Sequence, residues 1–170
     1  SAAAQEPRSI IRARRLRKGM TIGLVSPASN VAEDEDIAFA RDVVTSLGFH
    51  VKPAKHLYHR DQYLAGSDQQ RADDLNAMFA DPEVDAIFCL RGGYGSSRLL
   101  PLLDYKNIAV NPKVLMGYSD ITALLCAIHQ RTGLVTFHGP IVGDNFSDYS
   151  YSQFKRTLVS AKKGQSLAAP

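Results

Sequence analysis

The sequence lacks features that several common classes of protein require. It has only two cysteines, Cys89 and Cys126, and no C-x-x-C spacing, so neither a disulfide framework nor a cysteine metal site is predicted. Both lie in apolar segments, where we expect buried thiols. No apolar run approaches the roughly 18 residues that a membrane span requires, so no membrane-spanning helix is predicted.

Complete nucleotide-binding and zinc-enzyme motifs are also missing. No G-K-[ST] sequence follows a glycine loop, and residues 91–95 would need a further glycine where Arg98 stands to form a dinucleotide fingerprint. We therefore expect no cofactor. His56, His59 and Asp61 are close in sequence, but the helical i, i+4 histidine pair of a zinc enzyme is lacking. We expect a solvent-exposed loop there and no metal site.

Basic residues are concentrated at the start of the chain. Residues 1–18 contain six basic side chains and one acidic one, whereas the remainder has 14 basic and 16 acidic residues. We interpret 1–18 as a solvated basic arm. Nucleic-acid binding is not favoured, because no aromatic residues interleave the charges. The start Ser-Ala-Ala-Ala, without Met, fits either a tag remnant or a signal-peptide cleavage site.

Strand-like and helix-like segments alternate after the arm. Short apolar runs predict strands, and amphipathic stretches with caps predict helices between them. This alternation predicts one α/β domain over residues 19–165 with a mainly parallel sheet. Strands are predicted at 21–26, 49–51, 84–90, 113–116 and 134–137, and helices start at Asn30, Ser67, about 96 and 120, and about 150.

Three loops follow predicted strands and should meet at one edge of the sheet. They are 26–30, 91–96 and 117–120. Ligands of parallel α/β sheets bind beyond the carboxyl ends of the strands. We therefore expect the functional site where these loops converge.

Ser119 lies between a predicted strand and a predicted helix. A serine there can be an exposed nucleophile near free backbone amides, or an ordinary helix N-cap. The G-x-S-x-G signature is incomplete, because Gly117 fits it but Ile121 occupies the last position. In the same way, loop 91–95 is either a tight turn or a set of amides that holds a carboxylate or oxyanion, with Arg91 as a partner for a substrate carboxylate. The local patterns leave these alternatives open.

Five motifs taken together resemble the LD-carboxypeptidases, the serine peptidase family S66 that also includes the microcin C immunity peptidases. The resemblance covers residues 20–145. The motifs, in order, are TIGLVSPAS at 21–29, YLAGS at 63–67, RGGYG at 91–95, GYSD at 117–120 and FHGP at 137–140.

The resemblance implies a flavodoxin-like, three-layer domain and a serine carboxypeptidase. Such enzymes remove the terminal D-alanine from murein tetrapeptide in cell-wall recycling, and some relatives hydrolyse peptidyl-nucleotides instead. Ser119 maps onto the family nucleophile, and the oxyanion would bind the amides of Asp120 and Gly93. We also expect four residues to contact substrate, namely Arg91, Gly92, Tyr94 and Tyr118.

One part of the family pattern has no counterpart here. The resemblance places the catalytic histidine and its glutamate in a C-terminal domain, which this chain lacks. His129 would lie about 15 Å along the helix from Ser119, and we interpret His138 as a structural or substrate-wall residue. We therefore expect an N-terminal half that is inactive alone, pairs with its C-terminal domain and forms a homodimer. The resemblance implies the cytoplasm, or the periplasm if a signal peptide is cleaved. The alternative is a non-catalytic module that binds a small peptide or carboxylate.

Overall fold

The computed structural model of this chain describes residues 9–140 and 147–160. Within these residues, five strands form one sheet in the order β2-β1-β3-β4-β5, and every pairing is parallel. This is the flavodoxin-like order of a doubly wound fold. The predicted fold class is therefore confirmed. The strands are β1 (Thr21–Val25), β2 (His50–Pro53), β3 (Ala86–Cys89), β4 (Val114–Gly117) and β5 (Phe137–His138).

In the part of the chain that the structure describes, five α-helices flank the sheet. They are α1 (Asp34–Ser46), α2 (Asp68–Ala80), α3 (Tyr105–Val110), α4 (Thr122–Thr132) and α5 (Asp148–Phe154). Short 3₁₀ helices occupy Ser96–Leu102 and Ser119–Ile121, and α5 continues as a π-helical turn over Lys155–Val159. In the described residues, no helix is long and apolar enough to cross a bilayer.

The sheet is covered on both faces, as the strand register shows. Gly23 pairs with Ile87, and a Cβ on Gly23 would meet the sulfur of Met78 from α2. The next residue of β3, Phe88, points to the opposite face, where its ring packs edge-on against Phe154 of α5. Because neighbouring strand residues alternate in direction, α2 and α5 lie on opposite faces. All four residues of β3 are accordingly buried.

Local signals determine where the helices begin, and one prediction was wrong. Ser67 caps α2, accepting a hydrogen bond from the Gln70 amide, while the Gln70 side chain bonds back to the Ser67 amide. The predicted start of α1 at Asn30 was three residues early. Glu33 is the N-cap, in a reciprocal box with Asp36.

Two predictions about exposure were also wrong, and a third was correct only in part. The described part of the basic arm packs on the domain, because the Ile11 amide bonds to the Gly133 carbonyl and Leu16 is fully buried. The arm keeps its charges in water by alternating them with these apolar residues. Cys89 is buried as predicted, but Cys126 faces solvent from α4. The loop before α2 is not wholly exposed either, since Leu57 and neighbouring apolar side chains are buried.

Candidate active site

The three predicted loops meet beyond the carboxyl ends of β1, β3 and β4. The Ser29 amide donates to the Gly92 carbonyl at 3.1 Å, and the Tyr94 amide donates to Ser29 Oγ at 3.2 Å. The Ser96 amide donates to Asp120 Oδ2 at 2.8 Å. The convergence expected from the alternating pattern is thus confirmed, at the point where the strand order reverses between β1 and β3.

Ser119 occupies the sharp turn between β4 and α4. Its φ is +60°, which a residue with a side chain rarely adopts. The residue is exposed, and within residues 9–140 and 147–160 no group forms a hydrogen bond with its Oγ. The N-caps of the adjoining 3₁₀ helix and of α4 are Tyr118 and Ile121, and neither cap uses a serine hydroxyl. The N-cap alternative for Ser119 is therefore wrong.

The glycine loop lies directly against this turn. A Cβ built on Gly92 would lie 2.9 Å from Ser119 Cβ and 3.3 Å from the Asp120 amide nitrogen. Gly93 has φ +94°, and a Cβ there would lie 2.3 Å from Ser29 Oγ. Its own amide has no acceptor in the described part of the chain. The loop therefore brings backbone, rather than side chains, next to Ser119.

Asp120 is held by Ser96, a buried residue that the sequence reasoning missed. The Ser96 amide bonds to the Asp120 carboxylate, and Ser96 Oγ donates to the Asp120 carbonyl at 2.5 Å. Ser96 is fully buried. Asp120 therefore uses both its side chain and its carbonyl to fix the turn, which leaves its backbone amide as the group beside Gly92.

The predicted substrate-binding side chains form the rim of this site. Arg91 is exposed, donates one hydrogen bond to the Asn30 carbonyl at 3.0 Å, and has no ion pair with any described carboxylate. The Tyr94 ring lies 6.0 Å from that of Tyr63, and both are about half exposed. On the other side, the Tyr118 ring lies 6.2 Å from that of His138.

No described histidine hydrogen-bonds to Ser119. His129 Nδ1 is 2.9 Å from the Leu134 carbonyl, and His138 contacts Tyr118. His56 Nδ1 lies 2.8 Å from Asp74 Oδ1, in a mostly buried pair. Burial raises the pKa of Asp74 above its ordinary value, against the opposing effect of His56. Across residues 9–140 and 147–160, no group of three His, Cys, Asp or Glu side chains could hold a metal ion.

The sequence reasoning also missed Arg71, which is buried behind the glycine loop. The sequence did contain an indication that Arg71 is buried. Arg71 is spaced four residues before Leu75 and seven before Met78, so helical periodicity places it on the buried face of α2. A charged residue at such a position needs a specific set of partners.

The chain is similar in sequence to a known family and to several of its members. Residues 22–139 match the family model described as the LD-carboxypeptidase N-terminal domain. The chain is 46% identical over 127 residues to a probable murein peptide carboxypeptidase of Bacillus subtilis, and the aligned segment covers 75% of this chain and 40% of that protein. It is 43% identical over 122 residues to the murein tetrapeptide carboxypeptidase of Pseudomonas aeruginosa, covering 71% of this chain and 39% of that protein.

A solved structure matches as well. The crystal structure of an MccF-like protein from Bacillus anthracis superposes with a TM-score of 0.82 at 38% identity, covering 87% of this chain and 47% of that one. The chain therefore spans less than half the length of each of these relatives.

Proposed function

The chain belongs to the LD-carboxypeptidase family, and we propose that it is the nucleophile-bearing half of a serine-type carboxypeptidase. Its substrate would be murein tetrapeptide, from which it removes the terminal D-alanine in bacterial cell-wall recycling. The observation that carries the proposal is the geometry of Ser119. An exposed serine with left-handed backbone at a strand-to-helix turn, facing unshielded amides, is the arrangement of a nucleophile elbow.

In the proposed reaction, Ser119 Oγ attacks the carbonyl that precedes D-alanine. The hydroxyl proton passes to a general base, and the carbonyl oxygen becomes an oxyanion. The amides of Gly93 and Asp120 would bind that oxyanion. Collapse breaks the C–N bond, D-alanine leaves with a proton, and water hydrolyses the acyl-enzyme. Arg91 would pair with the carboxylate of D-alanine, and Gly92, Tyr94 and Tyr118 would line the substrate.

The general base would come from a C-terminal domain joined to this chain in the full-length protein. A serine hydroxyl is a weak nucleophile without a base to take its proton. None of the described histidines bonds to Ser119, which supports a base supplied from outside residues 9–140 and 147–160. We therefore expect the 170-residue chain to bind substrate weakly and to turn it over negligibly.

The test is D-alanine release from murein tetrapeptide. It compares the full-length gene product, this chain, and full-length Ser119→Ala and Ser97→Ala variants. Ser97 is an exposed serine of the neighbouring 3₁₀ helix and is the matched control. We expect activity in the full-length protein and in Ser97→Ala only. Equal activity of the 170-residue chain would refute the missing-base proposal, and activity of Ser119→Ala would refute the nucleophile assignment.

A second candidate is hydrolysis of a peptidyl-nucleotide, favoured by the similarity to the microcin C7 self-immunity protein MccF. Its structure in complex with aspartyl sulfamoyl adenosine superposes with a TM-score of 0.83 at 34% identity. The same Ser119 would attack an amide whose leaving group is larger than D-alanine. Parallel kcat/KM measurements on murein tetrapeptide and on an aminoacyl sulfamoyl nucleoside distinguish the two. A binding module without catalysis would instead hold tetrapeptide equally well in the wild type and in Ser119→Ala, with no turnover by either.

Two finer proposals concern assembly and location. We propose a homodimer, tested by light scattering of the full-length protein, for which a monomer mass would be contrary evidence. We also propose that the enzyme acts in the cytoplasm, as the family resemblance implies. Cell fractionation tests this placement, and recovery in the periplasmic fraction would overturn it.

A further inference from the structure

Arg71 is a large charged side chain with only 1% of its surface exposed. It lies in the first turn of α2, on the side of the helix that faces the carboxyl edge of β1 and β3. Burial lowers the pKa of its guanidinium, whereas Asp68 opposes that effect. A cation buried in this way is stable only if most of its N–H groups have acceptors.

The backbone acceptors of Arg71 come from three separate loops. Nη1 donates to the Pro27 carbonyl at 2.7 Å and to the Gly95 carbonyl at 3.1 Å. Nε donates to the Gly66 carbonyl at 3.2 Å, and Nη2 bonds to the Asp68 carboxylate. One side chain therefore ties together the loop after β1, the glycine loop after β3 and the YLAGS segment before α2.

These acceptors stand next to the groups that surround Ser119. Pro27 is two residues before Ser29, and Ser29 holds the glycine loop on both sides of Gly93. Gly95 is two residues after Gly93 and immediately before Ser96, which fixes Asp120. The Gly93 amide itself is left without an acceptor in the described part of the chain.

We propose that Arg71 is a positioning residue, which sets the distance between the glycine loop and Ser119 so that the Gly93 amide can receive the oxyanion. The chemical part of this inference rests on the proposed function. In this proposal the YLAGS segment supports Arg71 and the glycine loop. Its Gly66 carbonyl anchors the guanidinium, and its Leu64 packs under Gly95.

Arginine is the side chain that this arrangement requires. Its planar fork directs N–H groups toward several acceptors at once, whereas lysine offers one ammonium group at a single point. A glycine at position 95 leaves room for the guanidinium. Gly95 has φ +112°, and a Cβ on Gly95 would lie 3.1 Å from Arg71 Nη1. The guanidinium therefore occupies the space beside the loop where a side chain would otherwise stand.

The test uses Arg71→Lys and Arg71→Gln, with Arg98→Lys as the matched control. Arg98 also bonds to Asp68, at 2.9 Å, but its side chain is 45% exposed and reaches no loop carbonyl. Tetrapeptide turnover is measured on the full-length variants. Amide spectra and hydrogen exchange of Gly93 and Tyr94 are measured by NMR on the 170-residue chain, together with the melting temperature.

For Arg71→Lys we expect kcat to fall roughly tenfold to hundredfold, the effect of a small misplacement in an active site. KM should stay within about twofold, because the rim residues are untouched. The Gly93 and Tyr94 amide signals should shift, and Arg98→Lys should change neither readout. A fold-only role predicts a lower melting temperature with kcat and these two signals unchanged.

The outcomes separate this inference from the proposed function. Unchanged kcat in folded Arg71→Lys, in a protein that Ser119→Ala inactivates, overturns the positioning role. Shifted Gly93 signals in a protein whose turnover does not need Ser119 leave Arg71 as the loop anchor and overturn the proposed chemistry. If neither Arg71 variant folds, the residue serves the stability of the domain, and the positioning role is likewise overturned.

Discussion

Replacing Gly92 with alanine should disable the site while leaving the fold intact. The backbone of Gly92 lies outside the left-handed region, so alanine there avoids the strain of a positive φ. The added methyl carbon would stand 2.9 Å from Ser119 Cβ. Carbon atoms in good contact are about 3.5–4.0 Å apart, so the loop and Ser119 must separate by at least roughly 0.6 Å.

The expected fall in kcat follows from that displacement. The methyl carbon would also lie 3.3 Å from the Asp120 amide nitrogen, near the space that an oxyanion would occupy. A misplacement approaching 1 Å costs about a hundredfold in rate, and loss of one oxyanion donor costs a hundredfold to a thousandfold. We therefore expect kcat to fall by about two orders of magnitude, or about 2.7 kcal/mol of transition-state stabilisation.

The assay is tetrapeptide turnover by full-length Gly92→Ala, with Gly139→Ala as the control. A Cβ on Gly139 would make a similarly tight contact, 3.1 Å from the flexible Met116 sulfur, without touching Ser119. Overpacking costs about 1–3 kcal/mol of stability, so both variants should remain folded. Full activity of Gly92→Ala, in an enzyme that requires Ser119, would refute the proposed position of the oxyanion at the amides of Gly93 and Asp120.

Three further predictions test other parts of the structure. In the native chain, Ellman's reagent should label only the exposed Cys126. Burial raises the pKa of Cys89 to about 12, so Cys89 should react only in denaturant. Rapid labelling of both cysteines would contradict the assigned burial. Lys52 lowers the pKa of Asp81 in the folded state below its ordinary value of 3.8. The ion pair between them therefore stabilises the fold fully at pH values above 3.8, and this stabilisation is lost as the pH falls through the lower folded-state pKa of Asp81. The stability difference between wild type and Lys52→Met, measured by urea unfolding, should therefore shrink on acidification, and a constant difference would be contrary evidence. Ser96→Ala should cost about 1–2 kcal/mol in the same assay, because it removes a buried hydroxyl hydrogen bond, and an unchanged midpoint would count against that bond.

Elements defined by short-range signals were predictable. The capping box at Ser67 is encoded within four residues, and it was identified correctly. The apolar run at 84–90 predicted a strand, and the four residues of β3 within that run are all buried. Strand and helix alternation then led to a parallel sheet, since parallel strands need helical crossovers.

Three predictions that depended on the position of a residue in the folded chain were wrong. The arm before β1 looked solvated because of its charge, yet Leu16 is buried and its amide bonds to the Leu158 carbonyl. Cys126 stands among apolar residues in the sequence, but the rotation of α4 turns it to solvent. The start of α1 moved from Asn30 because that residue is used elsewhere, its amide bonding to the Tyr63 carbonyl.

By itself, the sequence determined the order of elements and the edge of the sheet where the three loops meet. The elements depend on neighbours within one strand, turn or helix, and the edge follows from the direction of parallel strands. Ser119 was assigned as the nucleophile by the resemblance of five motifs, because its local pattern left the N-cap alternative open. Only the tertiary structure decided that the Ser119 hydroxyl caps no helix, that Ser96 fixes Asp120, and that Arg71 joins three loops. The bonds from Ser96 to Asp120 and from Arg71 to Gly95 and Pro27 link residues 24 to 44 positions apart, and hydrogen-bond geometry over such separations exists only once the chain has folded.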